Sequence, residues 1–138
     1  MKDAQMAAKA RARRRPRILV VEDEYLIARH MRTLLRRLGN EVIGPVPNLE
    51  GAIQLARSER LAAAILDIKL ADDRPVYPLA DLLAQRGVPF LFVSGYSAAD
   101  IPPRYRRVRL IVKPASLQAF HAAVDGLLAR RPRPTRPH

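Results

Sequence analysis

Five polar side chains stand directly after four apolar runs in this 138-residue chain. Glu22 and Asp23 follow 17–21 (RILVV), Asp67 follows 62–66 (AAAIL), Ser94 follows 89–93 (PFLFV) and Lys113 follows 108–112 (VRLIV). If the runs are neighbouring parallel strands, their carboxyl ends bring three acids, a hydroxyl and an ammonium to one edge, where ligands of open parallel sheets bind. Three gathered carboxylates repel one another and are costly until a cation neutralises them. An oxygen-only donor set suits a hard ion such as Mg²⁺. That ion keeps waters and takes one or two carboxylates together with phosphate oxygens, so the expected missing ligand is a phosphoryl group. Ser94 and Lys113 would complete its cradle. A carboxylate so placed can itself attack phosphorus and become an acyl phosphate while the neighbouring cations neutralise the equatorial oxygens. Asp67, central on the edge, is the expected nucleophile. The plainer alternatives are an Asp67 and Lys113 ion pair that only supports the fold, and Glu22, Asp23 and Glu24 as first-turn acids favoured by the helix dipole.

The segments between the runs must position these groups. Ile27, Met31, Leu34, Leu35 and Leu38 form one stripe at helical spacing, with Gly39-Asn40 as a stop. A short second strand is expected over 41–44 (EVIG), ended by Pro45 and Pro47. Leu49, Ile53 and Ala56 give a weaker helix to about Arg57, and 76–85 carries Leu79, Leu82 and Leu83 before Arg86-Gly87. A last helix carries Leu117, Phe120, Val124 and Leu127 and is expected to be capped by Ser116. The stretch 97–107, with Pro102 and Pro103, is too broken for a full helix, so the fourth crossover should be short or irregular. Strands alternating with helices at this spacing predict βαβ units, hence an α/β fold with a parallel sheet covered on both faces and right-handed crossovers.

Length and a 49% hydrophobic content predict one domain with its own core. The formal charge is +12, but residues 1–17 contribute +6 and 130–138 contribute +4, leaving +2 for the segment between them. The expected organisation is a basic, disordered N-terminal extension over 1–16, one domain over 17–129, and a Pro/Arg-rich tail over 130–138. Clustered arginines at the ends can attract polyanions, yet no aromatic platform interleaves with them. Without Cys there is no disulfide framework, zinc finger or thiol nucleophile. The longest uncharged run, 42–49, is far short of the roughly 20 apolar residues of a spanning helix, so no membrane crossing is expected and the cytoplasm is the default location.

Residues 18–24 (ILVVEDE), 66–70 (LDIKL) and 112–114 (VKP) resemble the receiver domain of two-component response regulators, the CheY-like family, over the 113 residues 17–129. Within it, 92–96 (FVSGY) and 75–83 (PVYPLADLL) are similar to an atypical single-domain subgroup with a Phe-Ala-Thr-Gly-Tyr type motif. The resemblance implies a flavodoxin-like (βα)5 sandwich of strand order 2-1-3-4-5. It implies Asp67 as phosphoacceptor and Glu22 and Asp23 as Mg²⁺ carboxylates, Asp23 the more direct. It further implies that Lys69 offers its backbone carbonyl to the ion, that Ser94 and Lys113 hold phosphoryl oxygens, and that Lys113-Pro114 can be a cis peptide. The chain departs from the family at the aromatic switch position, which is Leu110. Tyr96 then becomes the candidate switch, with transmission through residues 94–107.

The expected function is a stand-alone receiver that takes a phosphoryl group from a histidine kinase or a histidine phosphotransfer protein and alters a surface for a protein partner. It would act by binding, as phosphate sink or adaptor, and modify only itself rather than turn over a substrate as an enzyme. The alternative is a pseudo-receiver adaptor that needs no phosphorylation and binds nucleic acid through its basic tails. An aspartate-nucleophile phosphatase of the haloacid dehalogenase type needs an acid two residues past the nucleophile, where this chain has Lys69. None of the six Gly residues has P-loop or dinucleotide-binding spacing. His30 and His121 are given no role.

Overall fold

Short runs of Ile, Leu, Val and Phe that are apolar on both faces can be satisfied only between two layers of helices, and this is where the chain puts them. The computed structural model describes residues 2–7, 15–70, 74–95, 101–113 and 116–130. The elements are β1 (Arg17–Val21), α1 (Tyr25–Arg37), β2 (Glu41–Val46), α2 (Leu49–Ser58), β3 (Ala63–Asp67), α3 (Tyr77–Gln85), β4 (Phe90–Ser94), β5 (Leu110–Val112) and α4 (Leu117–Ala129), with a 3₁₀ turn at Pro103–Tyr105 before β5. All strand pairs are parallel, in the order β2-β1-β3-β4-β5. This is the flavodoxin-like arrangement, and the fourth crossover carries the 3₁₀ turn in place of a full helix, as Pro102 and Pro103 require.

The two-residue period of the strands divides the core. Leu19, Val21, Ala64, Leu66 and Phe92 pack with Ala52 and Ala56 of α2 and Leu79 and Leu83 of α3. Ile18, Val20, Ile65, Leu91 and Val93 point the other way, to Met31 and Leu35 of α1 and Phe120 and Val124 of α4. On α1 the buried stripe is Ala28, Met31 and Leu35, so the line sits closer to the helix start than the Leu38 end of the expected stripe, which is exposed. Two caps follow from side-chain chemistry: Asn48 Oδ1 accepts from the Gly51 amide at 2.8 Å, and Ser116 Oγ accepts from Ala119 at 3.1 Å, as expected from the sequence.

Several boundaries differ from the sequence expectation. The helix after β1 starts at Tyr25 with no acid in its first turn, so Glu22, Asp23 and Glu24 precede it instead of opening it. Strands β3 and β4 each run one residue further, making Asp67 and Ser94 their last residues, and β5 starts at Leu110. Strand β2 continues to Val46 through a cis Gly44-Pro45 bond, tolerated because β2 is an edge strand. Gly44 is required there: its φ is +96°, and a Cβ would meet Val46 N at 2.8 Å. This bend shifts the β1/β2 register between Leu19 and Val21 and lets Val46 O accept from the Glu22 amide at 3.1 Å. Residues 2–7 are helical and wholly exposed where no regular structure is expected, consistent with the helix propensity of their Ala, Met, Lys and Gln. Residues 131–138 of the tail lie outside the described residues.

Tyr105, on the 3₁₀ turn, fills the space beside β4. Its ring stacks on Tyr77 at 6.0 Å and meets Phe90 and Phe92 edge-on at 5.7 Å. Its hydroxyl donates to Asp81 of α3, and Arg104 grips the same carboxylate through Nε at 3.1 Å and a terminal nitrogen at 3.3 Å. The Tyr105 hydroxyl and the Arg104 fork hold the Asp81 carboxyl below its ordinary pKa. Phe92→Ala should lower unfolding free energy by about 3–5 kcal/mol, whereas Tyr105→Phe, which keeps the ring, should cost about 1 kcal/mol. Denaturant titration of both variants checks the order, and equal losses would mean that the ring does not carry the packing.

Candidate functional site

Each functional side chain is brought to the rim by a strand that has run out of apolar residues. Glu22 and Asp23 follow β1, Asp67 ends β3, Ser94 ends β4 and Lys113 follows β5. Because β1, β3, β4 and β5 are adjacent in that order, their ends meet at one place. Glu22 is 2% exposed, Asp67 6% and Ser94 4%. One carboxylate oxygen from each of Glu22, Asp23 and Asp67 lies within 4.8 Å of the others. All five polar residues expected from the sequence therefore converge.

The Lys113 ammonium reaches into this group. Its Nζ is 2.5 Å from Glu22 Oε1 and 3.2 Å from Asp67 Oδ2, with Glu24 Oε1 further out at 3.7 Å. The lysine is held there through its backbone, since its amide donates to Ser94 O at 2.8 Å. Glu22 Oε2 accepts from the amides of Asp23 at 3.1 Å and Glu24 at 3.5 Å, which fixes its carboxylate toward the cluster. Burial, then the hydrogen bond with Asp67, lift the Glu22 carboxyl to about 8 against the opposing pull of Lys113. Burial opposes the Lys113 charge, but the contacts with Glu22 and Asp67 outweigh it and hold this ammonium above its ordinary pKa. One ammonium thus faces more negative charge than it can neutralise, and a proton on Glu22 makes up part of the difference.

A divalent ion would supply the balance, and the donor set fits one: three hard oxygens close together, two of them on buried residues. Lys69 lies two residues beyond Asp67 with an exposed side chain, in an isolated antiparallel bridge with Pro75. Leu110, at the usual switch position, is half-buried against the core that holds Phe92 and Tyr105. Tyr96 and Pro114 lie outside the described residues. Glu24, as a further contact of Lys113, and the grouping of Asp81, Arg104 and Tyr105 were not anticipated. The adjacency of Glu24 to Glu22 is a visible signal for the first. Nothing in the sequence marks the second, whose members are separated by a whole βα unit.

Comparison with known proteins bears on this geometry. SdrG from Sphingomonas melonis Fr1 has a solution structure that superposes with a TM-score of 0.74 at 33% sequence identity, covering 83% of this chain and 97% of that one. SdrG from Pseudomonas melonis Fr1 in its BeF3-activated conformation gives 0.69 at 33% identity, over 81% of this chain and 95% of that one. The receiver (REC) domain of the response regulator PhyR from Erythrobacter litoralis gives 0.75 at 26% identity, over 89% of this chain and 97% of that domain. The transcriptional regulatory protein PdtaR of Mycobacterium tuberculosis is 26% identical over 117 residues, and this chain spans 57% of its length. No protein-family model matches the chain.

The raised Glu22 carboxyl has a pH consequence in metal-free protein. A group whose pKa rises on folding contributes stability below its unfolded value, and that stability is lost as pH rises through the folded value. In the presence of a chelator, unfolding free energy should therefore fall between about pH 4.5 and 8, by about 1 kcal/mol or more, and Glu22→Gln should flatten the profile. Denaturation at a series of pH values tests this. Stability that rises across the window would place the proton elsewhere.

Proposed function

The chain belongs to the response-regulator receiver family, and from that membership we propose that it accepts a phosphoryl group on Asp67 from a phosphohistidine donor, a histidine kinase or histidine phosphotransfer protein, with Mg²⁺. The observation that carries this reading is the position of Asp67. It is buried at the end of the central strand, inside a carboxylate trio within 4.8 Å and 3.2 Å from the Lys113 ammonium. The BeF3-activated conformation of SdrG supports it by relationship.

In this mechanism an Asp67 Oδ attacks phosphorus. A phosphorus–oxygen bond forms, the bond to the donor imidazole nitrogen breaks, and its electron pair returns to the ring, which leaves neutral with its proton on the other nitrogen. Lys113 follows the charge, exchanging part of its contact with Asp67 and Glu22 for a phosphoryl oxygen, while the Ser94 hydroxyl donates to another. Glu22, Asp23, Asp67 and the Lys69 carbonyl would hold Mg²⁺, which supplies positive charge opposite the developing oxyanions. Hydrolysis of the acyl phosphate restores the starting site, so the protein modifies itself and is no enzyme for other substrates. No helix among the described residues is long and apolar enough to cross a membrane, and the proposed place of action is the cytoplasm.

Signalling in this proposal runs from Ser94 toward Tyr105 and not through Leu110, which has neither a ring nor a hydroxyl to exchange. A second reading has its own support. Lys113 already lies between Glu22 and Asp67, as it would in an ion-paired pseudo-receiver that acts as an adaptor without phosphate, with its basic tails on nucleic acid.

Acetyl phosphate with Mg²⁺ separates the two. The wild type should gain the mass of one phosphoryl group, Asp67→Asn and chelated protein should gain none, and Lys113→Ala should slow labelling by about a hundredfold. A wild type that stays unlabelled would leave the pseudo-receiver standing.

A further inference from the structure

Helix α1 carries four arginines, Arg29, Arg32, Arg36 and Arg37, and residues 25–40 contain no acid. None of the four guanidinium groups has an ion pair or a side-chain hydrogen bond among the described residues. Elsewhere the carboxylates are already engaged: Glu41 and Glu59 with Arg17, Glu50 with Arg74, Asp81 with Arg104, and Glu22, Glu24 and Asp67 with Lys113. The described fold therefore leaves little negative charge to answer α1.

The arrangement is ordered. Tyr25, Arg29, Arg32 and Arg36 fall at i, i+4, i+7 and i+11, one stripe about 16 Å long on the helix surface. Its first residue, Tyr25, is 73% exposed, and the adjacent Leu26 is 75% exposed. The stripe begins at the functional rim: a cleft of about 230 Å³ is lined by Glu22, Asp23, Tyr25, Arg29 and Arg32, with Pro45 and Pro47 as its far wall. A molecule that reaches Asp67 from this side passes over the stripe.

We propose that this stripe is a docking surface for an acidic protein segment, an apolar contact over Tyr25 and Leu26 followed by carboxylates at helical spacing, carried by the phosphoryl donor. The proposal rests on the receiver reading for the donor's identity, but not for the surface itself. Charge complementarity selects an acidic occupant. Two observations favour a protein over a nucleic acid. Glu22, Asp23 and Glu24 crowd the upper end of the stripe and would repel a phosphate backbone there. Two large exposed apolar side chains at that same end suit a protein contact.

The probe is an 18-residue helical peptide with Leu in its first turn and Glu at i+4, i+7 and i+11, compared with the same peptide carrying Gln, and titrated into the full-length chain by NMR. The Glu peptide should shift the amides of Tyr25, Arg29, Arg32 and Arg36. The Gln peptide, and the variant R29A/R32A/R36A, whose alanines preserve the helix, should each weaken binding about tenfold. Added salt should weaken the Glu peptide and not the Gln peptide. Equal binding of the two peptides, shifts away from α1, or tighter binding of a single-stranded RNA oligonucleotide to the same stripe would each overturn the assignment. Acetyl phosphate labelling of Asp67 is followed in parallel. An unlabelled wild type defeats the receiver reading alone, and a labelled wild type with no peptide effect defeats the docking surface alone.

Discussion

The structure depends on a conflict between burial and like charge. Glu22, Asp23 and Asp67 have oxygens within 4.8 Å of one another, and at an effective dielectric near 20 each pair of full charges at that distance repels by about 3 kcal/mol. That is a large share of the 5–15 kcal/mol that holds a typical domain folded. The fold accepts the arrangement because Lys113 brings an ammonium to 2.5 Å from Glu22 and 3.2 Å from Asp67, and because Glu22 takes up a proton more readily than an ordinary glutamate. Neither response neutralises the trio completely. The remaining deficit gives the site its appetite for a further cation, which is the physical content of the proposed Mg²⁺ requirement.

The frame around this conflict is built to keep it fixed. Parallel pairing of β1, β3, β4 and β5 puts the four strand ends side by side, and apolar side chains on both faces of these strands prevent slippage. The Gly44 bend is the least replaceable part of the periphery. It turns β2 so that Val46 O meets the Glu22 amide, and the amides of Asp23 and Glu24 then hold the Glu22 carboxylate. A substitution at Gly44 would thus act on the site through three backbone groups, although Gly44 touches none of the reacting atoms.

The parallel sheet and the five polar groups at its rim were legible because both rest on local signals: continuous apolar runs for buried strands, and a charge where each run stops. The α1 limits were less legible. Apolar stripes report which side faces the core, but Ala28 contributes to that side without a strong hydrophobic signal, and Leu38 belongs to the stripe yet lies beyond the helix end. Reading Glu22, Asp23 and Glu24 as first-turn acids failed for a related reason. A carboxylate beside a helix start can satisfy backbone amides, as Glu22 does, without being inside the helix. Tyr105 could not be located from the sequence at all. Its partners Tyr77, Asp81 and Phe92 come from two other elements, and only the assembled fold brings the four together.

These two unreadable features share one consequence. A receiver needs its site to communicate with a surface, and here the strand that carries Lys113 offers only Leu110 at the position where an aromatic would move. Phe92 is on β4, two residues before Ser94, and its ring is in edge contact with Tyr105 and Tyr77. A shift of Ser94 toward a ligand therefore has a packed route along β4 into the aromatic group, and from there through Tyr105 to Asp81 on α3. The rings are stiff and in direct contact, whereas Leu110 lies half-buried at the margin of the same core. Any rearrangement driven by Asp67 should accordingly be largest across the β4 to β5 connection and smallest on β5, because that is where close packing and a shared carboxylate couple the rim to the surface.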